Sequence, residues 1–318
     1  MTNRILSFTK MHGIGNDYIY IDCFKENFTI EEAKKYAPIL SDRHFSIGGD
    51  GIILIMPSEK NDKADVKMRM FNADGSESEM CGNGIRCVAK YTYDKGISKN
   101  NPLKIETLRG ILEAKLFIKD GEVDSVEINM DSPILEGLKI PTTINKNPII
   151  DEPIEINGKE YLFTAVSMGN PHAVIFVNDL ENLDISTVGK LIENNSIFPN
   201  RTNVEFVEII NKCEVRQRTW ERGSGETLAC GTGASAVCVA GLISERTESK
   251  ILNHLLGGDL LLDYRDGKVF MKGEARYSFE GKINLSNLWY NNRFLQVRQK
   301  DILVIASIFN FQCEEIRK

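Results

Sequence analysis

Short apolar stretches alternate with polar turns along most of the chain, and this pattern predicts a β-rich protein. Stretches of strand length that are rich in branched and aromatic residues, and bounded by turn residues, are typical of buried or half-buried strands. The predicted strands cover residues 51–56, 104–117, 123–130, 161–166, 173–177, 204–210 and 260–264. Asp-Gly or Asn-Gly pairs at 120–121, 157–158 and 266–267 predict tight hairpin turns between strands.

Two segments of helical length interrupt this pattern, at residues 85–95 and 234–245. The second is apolar on every side, because Val237, Val239, Leu242 and Ile243 point in different directions around a helix. A helix without a polar face is buried. Strands and buried helix together predict an α+β fold in which a curved, mostly antiparallel sheet or barrel wraps around a central helix.

The residues before each helix follow one sequence pattern, which indicates an internal duplication. Residues 71–87 (FNADGSESEMCGNGIRC) align without a gap with residues 220–236 (WERGSGETLACGTGASA), at an offset of 149 residues. Residues 12–16 (HGIGN) resemble residues 166–170 (VSMGN) at an offset of 154. Gly-Asn and Cys-Gly pairs are common in turns, which is the alternative explanation. Shared order and spacing favour two pseudo-symmetric domains, with a proline-rich linker over residues 131–153.

Composition narrows the possible function classes. The formal net charge is −6, from 39 basic and 45 acidic residues, so nucleic acid is not an expected partner. The longest apolar stretches, residues 51–57 and 302–309, are far shorter than the roughly 20 residues that span a bilayer. Seven cysteines spread over the chain, without a secretory leader, predict reduced thiols in a cytoplasmic protein.

Cys81 and Cys230 are the candidate reactive residues, because each stands where a glycine-rich turn enters a predicted helix. There the sulfur would lie among backbone N–H groups without helical partners, at the positive end of a helix dipole. That environment lowers the pKa of a thiol. It also binds carboxylates. The N–H groups available for a carboxylate would be those of Gly82, Asn83, Gly231 and Thr232.

Duplicated halves that pack face to face would bring the two cysteines to opposite walls of one cleft. One thiolate would remove the α-proton of a bound amino acid while the other thiol protonates the opposite face. The paired helix dipoles would stabilise the enediolate. This is two-base racemisation or epimerisation without a cofactor. The sequence contains no Cys-x-x-Cys pair and no histidines with ligand spacing, so neither a metal site nor a pyridoxal lysine is predicted.

Other residues carry weaker signals. Residues 231–236 match the Gly-x-Gly-x-x-Ala pattern of dinucleotide sites, but no β-rich strand leads into them. The cysteines at 23, 87, 213, 238 and 313 are expected to be inert. His172 is either a satisfied or surface histidine or a functional one, and Glu221 with Arg222 could form a surface ion pair. A functional role is favoured over a turn role for four asparagines in the loops that the duplication brings together: Asn16, Asn72, Asn170 and Asn203.

Five ordered segments resemble the diaminopimelate epimerase family. They are residues 8–17 (FTKMHGIGND), 71–75 (FNADG), 81–87 (CGNGIRC), 167–172 (SMGNPH) and 221–233 (ERGSGETLACGTG). The resemblance runs from about residue 7 to residue 285. It implies a cofactor-independent epimerase, often a homodimer, that interconverts LL- and meso-diaminopimelate for lysine and peptidoglycan biosynthesis.

The resemblance also implies roles for individual residues. Cys81 and Cys230 would be the acid/base pair, with His172 poising Cys81 and Glu221 poising Cys230. Asn72, Asn170, Asn203 and Arg222 would hold the distal amino-acid end of the substrate, with Asn16 also lining the pocket. Arg222 suits a carboxylate because its planar fork binds both oxygens.

The family pattern sets the expected domain boundaries and marks two departures. Because the final strand of the family returns to the first domain, the expected domains are residues 1–131 with about 274–285, and residues 132–273. Residues 286–318 would be an extension of unknown role. Some members carry Gln where Gly51 stands, so a contact of that side chain would be lost or replaced by water here.

The leading hypothesis is therefore an isomerase that epimerises diaminopimelate. A histidine- or proline-type racemase on the same fold is the nearest alternative, and Arg222 with three asparagines favours a substrate with a second zwitterionic end. A noncatalytic module that binds a diamino acid is an alternative from another class. A phenazine-type isomerase on this fold should lack the paired cysteines.

Overall fold

The computed structural model of the chain describes residues 4–60, 63–286 and 288. The strands in these ranges are β1 (Ile5–Gly13), β2 (Asn16–Asp22), β3 (Gly51–Met56), β4 (Val66–Asn72), β5 (Glu77–Ser78), β6 (Leu103–Thr107), β7 (Gly110–Lys119), β8 (Glu122–Asn129), β9 (Glu152–Ile156), β10 (Lys159–Ser167), β11 (Pro171–Phe176), β12 (Asn203–Asn211), β13 (Glu214–Glu221), β14 (Gly225–Thr227), β15 (Lys250–Leu255), β16 (Gly258–Arg265), β17 (Lys268–Glu274) and β18 (Arg276–Asn284). The α-helices are α1 (Ile30–Leu40), α2 (Gly82–Asp94), α3 (Ile185–Glu193) and α4 (Gly231–Ile243). None of these helices is long and apolar enough to cross a membrane. Most of the predicted extension 286–318, with the apolar stretch 302–309 and Cys313, lies outside the described residues.

The predicted strands and hairpins are confirmed, with one correction. The Asp-Gly and Asn-Gly pairs form the turns of the β7–β8, β9–β10 and β16–β17 hairpins, and both residues of each pair adopt positive φ. The segment 104–117, predicted as one strand, is two strands, β6 and β7, which pair with each other. Thr107 closes the turn between them by donating from Oγ1 to the Gly110 carbonyl at 2.8 Å.

The two central helices are buried as predicted but begin three residues earlier, at Gly82 and Gly231. Their glycines suggest a turn, yet they lie in the first helical turn because the preceding cysteines act as N-caps. Residues 82–92 of α2 and 233–241 of α4 are buried throughout. Unlike α4, α2 buries charged side chains, Arg86 and Lys90.

The strand pairing repeats in the two halves of the chain. β2 and β3 are parallel, as are β11 and β12. α1 and α3 connect these parallel strands. The next pairs, β3–β4 and β12–β13, are antiparallel, and β4 and β13 then lie parallel to β6 and β15. Each half is thus a mostly antiparallel sheet around one buried helix, and the predicted α+β class with two pseudo-symmetric domains is confirmed.

Two pairings join the halves into one continuous curved sheet. β8 pairs antiparallel with β17, with Ile128 opposite Met271. β18 follows β17 in the chain but pairs antiparallel with β1, from Ile5 opposite Asn284 to His12 opposite Arg276. β9 has the equivalent position beside β10. The last described strand therefore completes the sheet of the first half.

The main hydrophobic core of the described residues runs through both halves. It includes apolar side chains of both central helices, such as Val88 and Val237, together with Met271 of β17. Smaller cores involve α1 in the first half and α3 in the second. Because the central core is shared, packing determines how α2 and α4 sit relative to each other.

We expect a chain that ends at Leu288 to fold, because it retains every strand pairing and buried residue described above. A chain that ends at Ala275 should not fold properly, since it lacks β18 and leaves β1 with an unpaired edge. Phe8 would also lose its ring contact with Phe279, 5.9 Å between centroids. Circular dichroism and thermal unfolding of the two truncated chains check this. Loss of soluble protein in the longer one would show that the expectation is wrong.

Candidate active site

Cys81 and Cys230 occupy equivalent positions at the starts of α2 and α4. Cys81 is the N-cap of α2, with φ −129° and ψ 123°, and Cys230 is the N-cap of α4, with φ −123° and ψ 110°. Each sulfur accepts a hydrogen bond at 3.4 Å from a backbone amide of the first turn, that of Gly84 or Gly233. Cysteine thus stands where Ser, Thr, Asp or Asn usually caps a helix. The predicted correspondence between the two segments is confirmed in three dimensions.

The two helix starts meet at the boundary between the halves. Asn83 of α2 donates from Nδ2 to the carbonyl of Ala229, the residue before Cys230, at 3.4 Å. Met271 of β17 packs against both first turns. A Cβ atom on Gly82 would lie 2.9 Å from its Cε, and one on Gly231 would lie 3.1 Å from its Sδ. The glycines that follow the two cysteines therefore allow the helix starts to approach each other.

The Cys81 thiol is half-buried and faces β2. It donates a hydrogen bond to Asn16 Oδ1 at 3.2 Å, and Asn16 donates from Nδ2 to Asp50 at 2.6 Å, which orients the amide. Burial raises the pKa of Cys81, although first-turn amides and the Arg86 cation lower it. The helix start lowers this pKa as expected, but the desolvation penalty is larger, so the net shift is upward instead of downward.

The Cys230 thiol is more deeply buried, with 6% of the residue exposed. Burial raises its pKa well above the usual value, and the carboxylates of Glu221 and Glu205 raise it further. The Thr232 hydroxyl, 3.5 Å from the sulfur, and the amide of Gly233 lower it. The net shift is again upward, because burial and the two carboxylates outweigh the hydrogen bonds at the helix start.

Glu221 is electrostatically coupled to both cysteines. Its carboxylate raises the pKa of the Cys81 and Cys230 thiols. Burial raises the pKa of Glu221 itself, while hydrogen bonds with Thr227 and Cys230 lower it. Thr227 donates from Oγ1 to Glu221 Oε1 at 2.6 Å. Of the two carboxylates that act on Cys230, Glu221 has the larger effect on its pKa.

Arg222 is exposed and directed away from Glu221. Its Nη1 donates to the Asn200 carbonyl at 2.9 Å. No ion pair joins Arg222 to Glu221 in the part of the chain that the structure describes, so the surface ion pair is not observed there. A guanidinium carries five N–H donors, so Arg222 retains donors for a substrate carboxylate.

His172 lies in a fully buried polar network of the second half. Its Nδ1 is 2.6 Å from Glu205 Oε1, and its Nε2 is 3.1 Å from Asn170 Oδ1. Each ring nitrogen is thus within hydrogen-bond distance of a side-chain oxygen. Gln217 donates from Nε2 to the other oxygen of Glu205 at 3.2 Å, and Asn253 donates to Gln217 at 2.5 Å. Among the described residues, no hydrogen bond joins His172 to Cys81, the partner implied by the resemblance.

The predicted asparagines divide into two groups. Asn16 lies beside Cys81, as described above, and Asn170 donates from Nδ2 to Thr232 Oγ1 at 3.3 Å, which connects it to Cys230. Asn72 donates to the hydroxyls of Ser76 and Ser78, each at 3.0 Å. Asn203 is buried, and both the nitrogen and the oxygen of its side-chain amide form hydrogen bonds with backbone groups. It donates to the Pro171 carbonyl and accepts from the Arg222 amide, each at 2.9 Å, and so positions the loops around His172 and Glu221.

Three charged residues at the site were not identified from the sequence. Glu205 and Arg86 are fully buried, and Asp50 orients Asn16. Glu205 had a detectable signal, since it interrupts an apolar strand at an inward position. Arg86 and Asp50 had none, because a charged side chain is usually expected at the surface and no local pattern marks either one as part of a site.

Gly51 lies at the start of β3, opposite Asn72. A Cβ atom at this position would collide with the carbonyl oxygen of Phe71. The absence of a side chain at residue 51 is therefore required by the packing of β3 against β4. No group of three His, Cys, Asp or Glu side chains in the described ranges is arranged to hold a metal ion.

We expect Gly51→Gln to destabilise the protein rather than add a substrate contact, by about 1–3 kcal/mol, a typical cost of overpacking. Gly51→Ala should show a similar loss, because the collision begins at Cβ. Urea unfolding of both variants measures this. A Gly51→Ala variant as stable as the parent would contradict the packing argument.

We expect His172→Gln to cost about 3–5 kcal/mol of unfolding free energy, because the fully buried Glu205 carboxylate would lose its ring partner at 2.6 Å. The double variant His172→Gln/Glu205→Gln should recover part of this loss, since neutral amides bury no charge. Urea unfolding of both single variants and the double variant gives the coupling free energy. Additive losses would argue against an ion pair between the two side chains.

Comparison with known proteins gives one consistent family. The family model for diaminopimelate epimerase matches residues 8–136 and 164–278. A protein named diaminopimelate epimerase from Brachyspira hyodysenteriae (strain ATCC 49526 / WA1) is 80% identical over 280 residues, which cover 88% of this chain and 99% of the relative. One of the same name from Acetivibrio thermocellus is 49% identical over 285 residues, covering 89% and 100%.

Solved structures show the same fold at low identity. A phenazine biosynthesis protein of the PhzF family from Bacillus anthracis is 16% identical with a TM-score of 0.64, covering 89% of this chain and 100% of that one. A hydroxyproline epimerase from Agrobacterium vitis, with bound trans-4-hydroxy-L-proline, is 16% identical with a TM-score of 0.64, covering 89% and 93%. Similarity at this level shows the fold alone. The family model and the two relatives identify this chain as a member of the diaminopimelate epimerase family.

Proposed function

We propose that this chain interconverts LL- and meso-diaminopimelate, with Cys81 and Cys230 acting on opposite faces of the α-carbon. The observation that carries the mechanism is the pair of cysteine N-caps with matching geometry at adjoining helix starts. The substrate follows from family membership, because the chain aligns with nearly the whole length of relatives that bear this name. The product belongs to lysine and peptidoglycan biosynthesis.

The substrate α-carboxylate binds between the first turns of α2 and α4. Helix first turns present N–H groups without helical acceptors, and here these belong to Gly82, Asn83, Gly231 and Thr232. Both dipoles point at the bound anion, so they stabilise it more strongly as charge accumulates in the enediolate. In the described structure, the buried Oδ1 of Asn83 has no hydrogen-bond partner. It therefore offers an acceptor for the α-ammonium group.

Proton transfer needs one thiolate and one thiol. The thiolate takes the α-proton, and the electron pair of the broken C–H bond moves into the carboxylate to form the enediolate. The other thiol then protonates the opposite face of the carbon. Each turnover exchanges the protonation states of Cys81 and Cys230, so the reverse reaction uses the same groups in opposite roles. Glu221 accepts the proton of Cys230 when that residue must become the base.

The distal amino-acid end of diaminopimelate is bound by Arg222 with Asn72, Asn170 and Asn203 at the edges of the same cleft. Arg222 is exposed and retains N–H donors, which suits a second carboxylate. Asn203 contributes by holding the backbone of Arg222. A racemase of a single-centre amino acid would have no need for this second polar subsite.

Three further properties belong to the same proposal. The domains are residues 1–131 with about 274–285, and residues 132–273. The protein is a homodimer, as the family resemblance implies. It works in the cytoplasm without a cofactor, where its thiols stay reduced; the six described cysteines are free, including Cys81 and Cys230.

Proton NMR of the reduced protein with LL-diaminopimelate in D₂O tests the function. We expect loss of the α-proton signal together with appearance of the meso isomer. Cys81→Ala and Cys230→Ala should each lower the epimerisation rate by about 10²–10⁴-fold, the usual contribution of a general acid or base. Cys213→Ala, which changes an exposed cysteine, should leave it unchanged.

Binding without exchange in the wild-type protein would favour the noncatalytic module. If diaminopimelate gave no exchange but proline or histidine did, the racemase alternative would replace the proposal. Full activity in either Cys81→Ala or Cys230→Ala would rule out the two-base mechanism.

A further inference from the structure

Arg86 is a cation without a carboxylate partner among the described residues. It lies on α2, fully buried. Its guanidinium donates to the carbonyls of Gly82 at 3.3 Å and Glu274 at 3.2 Å, and it lies 3.8 Å from the Met271 sulfur. Its Nη2 is buried without a hydrogen-bond partner in the described structure. Because arginine does not lose its proton in proteins, a full positive charge is held here against a large desolvation cost.

The surrounding backbone leaves room for this guanidinium. A Cβ atom on Gly13 would lie 3.0 Å from Arg86 Nη2, and one on Gly273 would lie 3.2 Å from its Cζ and Nε. Both glycines therefore prevent a steric conflict with the planar group. Because Gly82 follows Cys81, the hydrogen bond from Arg86 to the Gly82 carbonyl connects the guanidinium to the helix start that carries the Cys81 thiol.

The second half has no such charge at the equivalent position. The offset of 149 residues places Ser235 where Arg86 stands, and Ser235 donates from Oγ to the Gly231 carbonyl at 2.8 Å. The charged groups near Cys230 are instead Glu221 and Glu205. Glu205 lies 2.6 Å from His172 Nδ1, whereas Glu221 has no basic partner among the described residues. The two pseudo-symmetric thiols thus differ in their charged neighbours, since a cation acts on Cys81 and only carboxylates raise or lower the pKa of Cys230 by charge.

We propose that Arg86 is the counter-charge of the Cys81 thiolate, and that it makes Cys81 the first of the two cysteines to lose its proton. Arg86 acts through the helix start and does not touch the substrate, so it is a positioning residue. The consequence of this ionisation order for catalysis rests on the proposed function, which requires one thiolate and one thiol.

The groups that face Cys81 come from several elements, and they do not all act in one direction. From β2, Asn16 accepts from the thiol and favours the neutral form, and Tyr18 lies close enough for Cys81 to raise the pKa of its hydroxyl. From β13, Glu221 raises the pKa of Cys81. From α2 itself, the first-turn amides and Arg86 lower it. Arg86 is the only full positive charge among these groups in the described structure.

Two other acidic groups lie close to Arg86, and neither replaces Cys81 as its anion. Burial raises the pKa of Cys87 to about 11, so this thiol stays neutral at physiological pH. Burial also raises the pKa of Tyr20 well above its usual value. Both side chains are fully buried and cannot take part in chemistry at the cleft.

The rate of alkylation by iodoacetamide, measured for each cysteine by peptide mass spectrometry across pH, tests this without substrate. In the wild-type protein, Cys81 should reach half its maximal rate at a lower pH than Cys230. The pH midpoint reports ionisation, whereas differences in exposure change only the plateau. Arg86→Met should slow alkylation of Cys81 at pH 7.5 by about tenfold or more, equivalent to one unit of pKa. It should leave the midpoint of Cys230 unchanged.

Two variants serve as controls. Arg86→Lys keeps the charge and should keep most of the Cys81 reactivity. Lys90→Met removes another buried cation one turn further along α2, which is paired with Asp94 at 2.7 Å, and should not move the Cys81 midpoint. A structural role of Arg86 alone would instead make Arg86→Lys and Arg86→Met alike.

Ionisation of Cys230 before Cys81 in the wild-type protein would overturn the proposal, and this measurement needs no variant to fold. An unchanged Cys81 midpoint in a folded Arg86→Met protein would overturn it as well. Both results are independent of epimerisation in the NMR assay, so failure of this inference and failure of the proposed function are distinguishable.

Discussion

The site depends on one repeated interaction, the hydrogen bond from a first-turn backbone amide to the sulfur of a cysteine N-cap. Gly84 and Gly233 donate these bonds to Cys81 and Cys230 at the same distance, 3.4 Å. This interaction sets the direction of each sulfur relative to its helix, and the shared core fixes the two helices relative to each other. The glycines on both first turns leave room for Met271 between them, so the two helix starts can approach each other.

Burial is the largest influence on the pKa of the two thiols. Burial raises the pKa of both thiols, although each stands at a helix start that favours the thiolate. In the proposed reaction, the same burial would strengthen the interaction of the helix dipoles with the enediolate. The surrounding charges are not symmetric. Arg86 lies on the helix that Cys81 caps, whereas Glu221 and the His172–Glu205 pair lie near Cys230. The duplicated halves therefore share their geometry but differ in their charged groups.

Much of this organisation can be predicted from the sequence because it depends on local patterns. The hairpin turns follow from Asp-Gly and Asn-Gly pairs, the buried α4 from its apolar faces, and the paired cysteines from the repeated segment. The start of each helix is harder to predict, because glycines usually indicate a turn. Here the glycines lie in the first helical turn, after a cysteine N-cap. The turn between β6 and β7 was missed because Leu108 and Arg109 are not typical turn residues.

Long-range polar contacts could not be predicted in this way. His172 and Glu205 are 33 residues apart and become partners only because β11 and β12 lie in parallel register. Arg86 would be expected on a surface, and its burial depends on space left by Gly13 and Gly273 on distant strands. The sign of the thiol pKa shifts likewise depends on burial, which a local sequence pattern does not contain.

A crystal structure of the Cys81→Ser/Cys230→Ser double variant with bound diaminopimelate would test the central claim most directly, since serine preserves the caps and prevents turnover. The account predicts the α-carboxylate on the amides of both first turns, with the two serine oxygens on opposite faces of one α-carbon. A substrate whose α-carbon faces only one of these two residues, or whose carboxylate lies away from the helix starts, would contradict it.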